Sequence, residues 1–149
     1  MNNIAKLIEN LQKGDKKALS RCISYVENDI EGYEEILTNL DFNKTISIVG
    51  ITGPPGAGKS TLINALLKQL LADNKKVGII TIDPTSPFNY GSLLADRLRM
   101  REHFNNANVF IRSLATRGSL GGLSAKTIEV VDVMKAFGFD YIFVETVGV

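Results

Sequence analysis

The sequence predicts an α/β domain, a mostly parallel sheet with helices on both faces, preceded by a small N-terminal helical segment. Three observations carry that expectation. From Thr45 onward, short apolar runs alternate with helical stretches, the rhythm of strands joined by right-handed crossovers. Before Thr45 the apolar residues fall at helical spacing instead. Between the first apolar run and the first long helical stretch stands Gly53-Pro54-Pro55-Gly56-Ala57-Gly58-Lys59-Ser60-Thr61, a glycine-rich turn of the form G-x-x-x-x-G-K-[ST].

Ile4, Leu7, Ile8 and Leu11 lie at i, i+3, i+4, i+7 and share one helix face. Gly14 breaks that helix. Asp15 is a fair N-cap for a second one carrying Ala18, Leu19, Cys22, Ile23 and Val26. A shorter amphipathic piece surrounds Tyr33, Ile36 and Leu37, and a polar stretch from Asn39 to Lys44 marks a soft boundary. We therefore expect a helical segment over 1–41 and an α/β region over 42–149. Strands are expected at 47–51, 77–82, 109–112 and 141–144, with helices at 60–72, 91–104 and 124–137. Gly138 stops the last helix. Parallel strands buried on both faces read as continuous apolar runs, and ligand belongs at their carboxyl ends.

The glycine-rich turn is a phosphate-binding loop in chemistry as well as form. Glycines let backbone N–H groups curl around phosphate oxygens with no Cβ in the way. The following helix adds unsatisfied donors and a partial positive charge. Lys59 would reach the β/γ-phosphates and the Ser60 hydroxyl would ligate Mg²⁺. The bland alternative is a strand-to-helix turn with a solvated lysine.

Two acidic groups close strands. Asp83 ends the second and Glu145 the last. One or two carboxylates beside a phosphate loop suit Mg²⁺, which keeps several waters and phosphate oxygens. In Glu145-Thr146-Val147-Gly148 the carboxylate would hold a metal-bound water while the Gly148 N–H met the γ-phosphate. That arrangement would sense whether the phosphate is present. Asp83 precedes Pro84, so a turn residue is the lesser alternative reading there. Asp96, Arg97, Arg99 and Arg117 read as solvated charges or as switch and partner residues. His103 reads as a surface or capping residue.

Composition excludes little and adds little. A net charge of +1 over 149 residues gives no electrostatic case for nucleic acid or an acidic membrane. The single cysteine, Cys22, forbids an internal disulfide and reads as a core thiol. No signal peptide is evident, and no apolar run approaches the roughly 18 residues of a membrane span. The expected location is cytoplasmic.

Taken together, the phosphate loop from Gly53, Asp83-Pro84-Thr85-Ser86-Pro87-Phe88, Asp96-Arg97-Leu98-Arg99-Met100, Thr116-Arg117-Gly118-Ser119-Leu120-Gly121-Gly122 and Val144-Glu145-Thr146-Val147-Gly148-Val149 are specific. They resemble the methylmalonyl-CoA mutase-associated GTPases, also known as ArgK-type lysine/arginine/ornithine transport kinases. The resemblance implies a P-loop nucleotidase fold and a GTP-hydrolysing metallochaperone. Such a protein docks on a cobalamin-dependent acyl-CoA mutase, gates adenosylcobalamin loading and protects the enzyme. It further implies that Gly53 to Thr61 bind the phosphates of GTP or GDP, that Ser60, Asp83 and Glu145 serve Mg²⁺, and that Glu145 to Val149 begin the second switch. Lys59 and Glu145 would be the catalytic pair, and a homodimer is the expected full-length state.

There are departures. Ala95 stands where the family favours Gly, and Leu114-Ala115 replaces a Pro-containing pair. No Asn/Thr-Lys-x-Asp guanine-reading motif occurs: Asn43-Lys44 runs into Thr45-Ile46, and Asn74-Lys75 into Lys76-Val77. The expectation is the front half of a longer protein, cut inside the second switch. Two rival readings stay open: an ATP-dependent transport-associated kinase, and a non-catalytic nucleotide-binding fragment.

Overall fold

Seven-residue strands and amphipathic helices appear where the two periodicities put them, except that the helix expected at 91–104 lies, but for residue 103, outside the described residues. The computed structural model describes residues 3–42, 45–83, 103, 105–115 and 125–147. Of Asp83, Ala125 and Val147 it describes the backbone alone. The elements are α1 (Asn3–Gln12), α2 (Lys16–Glu27), α3 (Tyr33–Thr38), β1 (Ser47–Gly53), α4 (Lys59–Ala72), β2 (Val77–Asp83), β3 (Val109–Ala115), α5 (Ala125–Phe137) and β4 (Tyr141–Val147).

Two compact units form. One holds residues 1–46 with 124–139, the other 47–123 with 140–149. In the first, the expected helix faces are buried: Ile4, Leu7, Ile8 and Leu11 on α1, and Ala18, Leu19, Cys22, Ile23 and Val26 on α2. The Asp15 carboxylate accepts the Lys17 N–H at 2.9 Å, the expected cap. Sequence rhythm groups α5 with the sheet, yet α5 packs against α1, α2 and α3. Its residues Val130, Val133 and Met134 are fully buried. Lys126 on α5 lies 4.4 Å above the Tyr33 ring and pairs with Asp29 and Glu129. Each such partly exposed contact contributes about 1 kcal/mol or less.

Cys22 is wholly buried, and that burial pushes its thiol up to about 11, with the Arg21 charge pulling weakly the other way. The unfolded thiol ionises near its ordinary 9.0, so between that value and about 11 the unfolded state binds fewer protons than the folded one. Stability then falls as pH rises through that window. Cys22→Ala is expected to flatten this alkaline loss by at most about 3 kcal/mol. Urea unfolding of both proteins across the window checks it, and parallel slopes would refute it.

The second unit is a four-stranded sheet of order β1-β4-β2-β3 with every pair parallel. Registered residues on neighbouring strands share a face. Val77, Ile79, Val109 and Phe143 therefore form one surface, and Ile63 and Leu67 of α4 pack on it. Ile80, Ile82, Ile142 and Val144, at the intervening positions, are buried as well. The strands outrun their expected ends: β3 continues to Ala115, and β1 and β4 continue through Thr52 and Thr146.

One expectation is corrected. Burial of every strand on both faces fails at β1, where Ile48 is 42% and Val49 37% exposed. These neighbours point to opposite sides, so among the described residues both faces of β1 are open in part. The reason is topological, since β1 is an edge and, among the described residues, pairs only with β4.

Candidate nucleotide-binding site

β1 delivers the glycine-rich loop at its carboxyl end, and the loop feeds directly into α4. Gly56 and Gly58 take left-handed φ values of 80° and 91°. A Cβ built on either would meet nothing within 4 Å. The glycines are thus required by backbone conformation, and the space beside the loop is open. Gly58 is the N-cap of α4 and offers no capping side chain. The Leu62 N–H reaches the Gly58 carbonyl at 2.9 Å, which starts the helix ladder. The N–H groups of Lys59, Ser60 and Thr61 precede that first bond and belong to the terminal set without intrahelical acceptors. With no acidic residue in the first turn, this end favours an anion.

Pro54, Pro55, Gly56, Ala57 and Thr61 are exposed, whereas Ser60 is buried at 9% exposure. The Lys59 ammonium folds back along the loop and donates to the carbonyls of Gly53 at 2.5 Å and Pro54 at 3.1 Å. It lies among the loop carbonyls, on a flexible stem able to exchange them for phosphate oxygens.

Glu145 sits in β4 opposite Ile51 of β1 and Thr81 of β2. It is only 6% exposed. Register puts it on the α4-covered face, one strand from β1 and two residues short of the level of Gly53. Asp83 ends β2, its backbone paired with Ala115. The structure thus brings the loop, Ser60 and the strand ends carrying Asp83 and Glu145 to one end of one sheet. Gly148, with Asp96, Arg97, Arg99 and Arg117, lies outside the described residues. Hydroxyl and carboxylate oxygens are hard donors that fit Mg²⁺.

Sequence reasoning misplaced one residue and overlooked a pair. His103 is 7% exposed rather than a surface group, with its Nε2 2.6 Å from Oδ1 of Asn64 on α4. Packing against α4 is a long-range event that a polar local sequence does not signal. Thr81 and Ser113 place their hydroxyl oxygens 2.8 Å apart across β2 and β3, a contact that only strand register could have revealed.

Comparison with known proteins gives the chain its family and fold. The family model described as methylmalonyl Co-A mutase-associated GTPase MeaB matches residues 19–149. A Pyrococcus abyssi protein named only as a GTPase is 54% identical over 147 residues, covering 98% of this chain and 45% of its own length. The Escherichia coli GTPase ArgK is 34% identical over 151 residues, covering 98% of this chain and 46% of its own. A crystal structure of a LAO/AO transport system kinase superposes with a TM-score of 0.73 at 26% identity, covering 100% of this chain and 45% of that one. The chain therefore spans about half the length of the relatives it matches. Among the described residues, no helix is long and apolar enough to cross a membrane. With a P-loop nucleotidase fold and a match over residues 19–149, the chain belongs to the methylmalonyl-CoA mutase-associated GTPase family.

Proposed function

We propose that this chain forms the phosphate- and magnesium-binding part of a cytoplasmic GTPase. The whole protein would act as a homodimeric chaperone of a cobalamin-dependent acyl-CoA mutase, gating cofactor loading and protecting the enzyme. The observation that carries the reading is the loop–helix junction, where open left-handed glycines, unpaired helix N–H groups and the Lys59 ammonium meet. Membership of the mutase-associated family supports the partner.

Phosphoryl transfer to water asks the protein for position and charge rather than covalent chemistry. The loop N–H groups would hold the phosphates, and Lys59 would offset charge where the β–γ bond breaks. Ser60, Asp83 and Glu145 would hold Mg²⁺, with Glu145 orienting a water through its carboxylate. Bound there, Mg²⁺ neutralises charge building on the phosphate oxygens. Gly148, following β4, would meet the γ-phosphate.

Base choice is a separate matter. A site that hydrogen-bonds a base edge discriminates strongly, and the expected guanine-reading motif does not occur in these residues. The chain is expected to bind GDP and ADP with affinities within about tenfold of each other, a difference of about 1.4 kcal/mol. Calorimetry with both nucleotides, and co-elution of a cobalamin-dependent mutase in the presence of GTP, test the two halves of the proposal. Binding of neither nucleotide overturns the phosphate site. A mutase that never co-elutes with a full-length relative overturns the chaperone role. The matched transport-system kinase favours one alternative, an ATP-dependent kinase, which acceptor labelling by ATP would reveal.

A further inference from the structure

One row crosses the sheet just short of the strand ends: Ile51 on β1, Glu145 on β4, Thr81 on β2 and Ser113 on β3. Registered positions of a parallel sheet put their side chains on the same face. That face is the one α4 covers, because Ile79 and Phe143, the preceding positions, belong to the core under Ile63 and Leu67. Three consecutive members of the row are polar, in a sheet whose interior is otherwise aliphatic and aromatic at the level below. Thr81 is 4% and Glu145 6% exposed. The Thr81 and Ser113 hydroxyls are 2.8 Å apart, and either could donate.

We infer that Thr81 and Ser113 are positioning residues for Glu145, a two-hydroxyl relay that aims its positive end at the carboxylate. The inference rests on the magnesium-site reading of Glu145. The polarity follows from donor counting. Each hydroxyl has one proton and two lone pairs, whereas an ionised carboxylate can only accept. If Thr81 gave its proton to Ser113, it would turn lone pairs toward a buried negative charge on the neighbouring strand, about 4.8 Å away in backbone spacing. If Ser113 donates to Thr81, the Thr81 proton is released toward β4. With Thr81 and Glu145 buried and Ser113 half-buried, the second arrangement is favoured, and each bond polarises the next. The charge of the carboxylate is then favoured from β2 and β3, across the sheet from the loop itself.

The test measures metal and nucleotide separately, with fluorescent mant-GDP and mant-GTP as probes and free Mg²⁺ as the titrant. Thr81→Val keeps the volume and β-preference of the side chain and removes only the hydroxyl. It is expected to raise the Mg²⁺ midpoint for mant-GTP about three- to tenfold, the worth of one hydrogen bond. Metal-free mant-GDP affinity should stay within about twofold of the parent, because that contact is the loop's own. Thr81→Ser restores the parent midpoint. Ser113→Ala shifts it the same way by less, and carries the test if Thr81→Val does not fold. Overlaid Mg²⁺ curves for Thr81→Val and parent overturn the relay alone. An equal loss of mant-GDP and Mg²⁺ binding also overturns it, since that pattern marks general damage. A parent that binds no nucleotide overturns the phosphate site and the relay together.

Discussion

Lys59→Ala is expected to lower triphosphate affinity at least about 100-fold, about 2.7 kcal/mol, while the fold and melting temperature stay at parent values. The two halves of that result have separate causes. Lys59 is only partly buried, and its two contacts are with carbonyls of its own loop. Removing them leaves Gly53 and Pro54 carbonyls that water can reach, so the net cost to folding is small. Bound phosphate differs, because its charge is drawn out of bulk water into the loop and the ammonium supplies a full positive charge there. Nucleotide titration beside circular dichroism reads both quantities. Unchanged affinity in a folded variant would sink the phosphate-loop assignment.

The second large effect is expected from Glu145→Gln, and its two readouts should diverge. The carboxylate is 6% exposed, so in the absence of metal the folded chain carries the cost of desolvating a charge. A neutral amide of the same shape removes that cost and keeps the packing, so the melting temperature should stay near the parent value. Magnesium loses a hard anionic oxygen, so the Mg²⁺ concentration needed for GTP binding should rise on the order of tenfold or more, as for other carboxylate supports of a metal. Metal-free GDP binding should not change. Overlapping magnesium curves would make Glu145 a structural residue. A destabilised variant would mean the charge is held by partners worth more than its desolvation.

Helix faces were legible because burial follows spacing directly: each α1 and α2 residue placed on an apolar stripe is buried, and Asp15 caps as its type demands. Strand starts were legible for the same reason. Strand ends were not, because Thr52, Thr146 and Ser113 look like loop residues until the register supplies neighbours for them. The alliance of α5 with the N-terminal helices was also hidden, since α5 reads as an ordinary crossover between strands. The loop, Lys59 and Ser60 could be read from their motif, whose spacing is local. The placement of Glu145 opposite Thr81, and of His103 against Asn64, depends on contacts far apart in sequence.

Among the described residues of this chain β1 pairs on its β4 side alone, which has a colloidal consequence. Edge strands in stable proteins are usually blunted by a lysine, a proline, a bulge or an inward charge, which keeps their free amides and carbonyls from recruiting another chain. Ser-Ile-Val-Gly-Ile-Thr-Gly, the whole of β1, has no charged residue and no proline. Among the described residues, the strand that presents the phosphate loop is therefore also a border of the sheet. With Ile48 and Val49 bared beside that border, self-association should grow with concentration from this strand first. Charge placed on its outward positions would improve solubility without touching the loop.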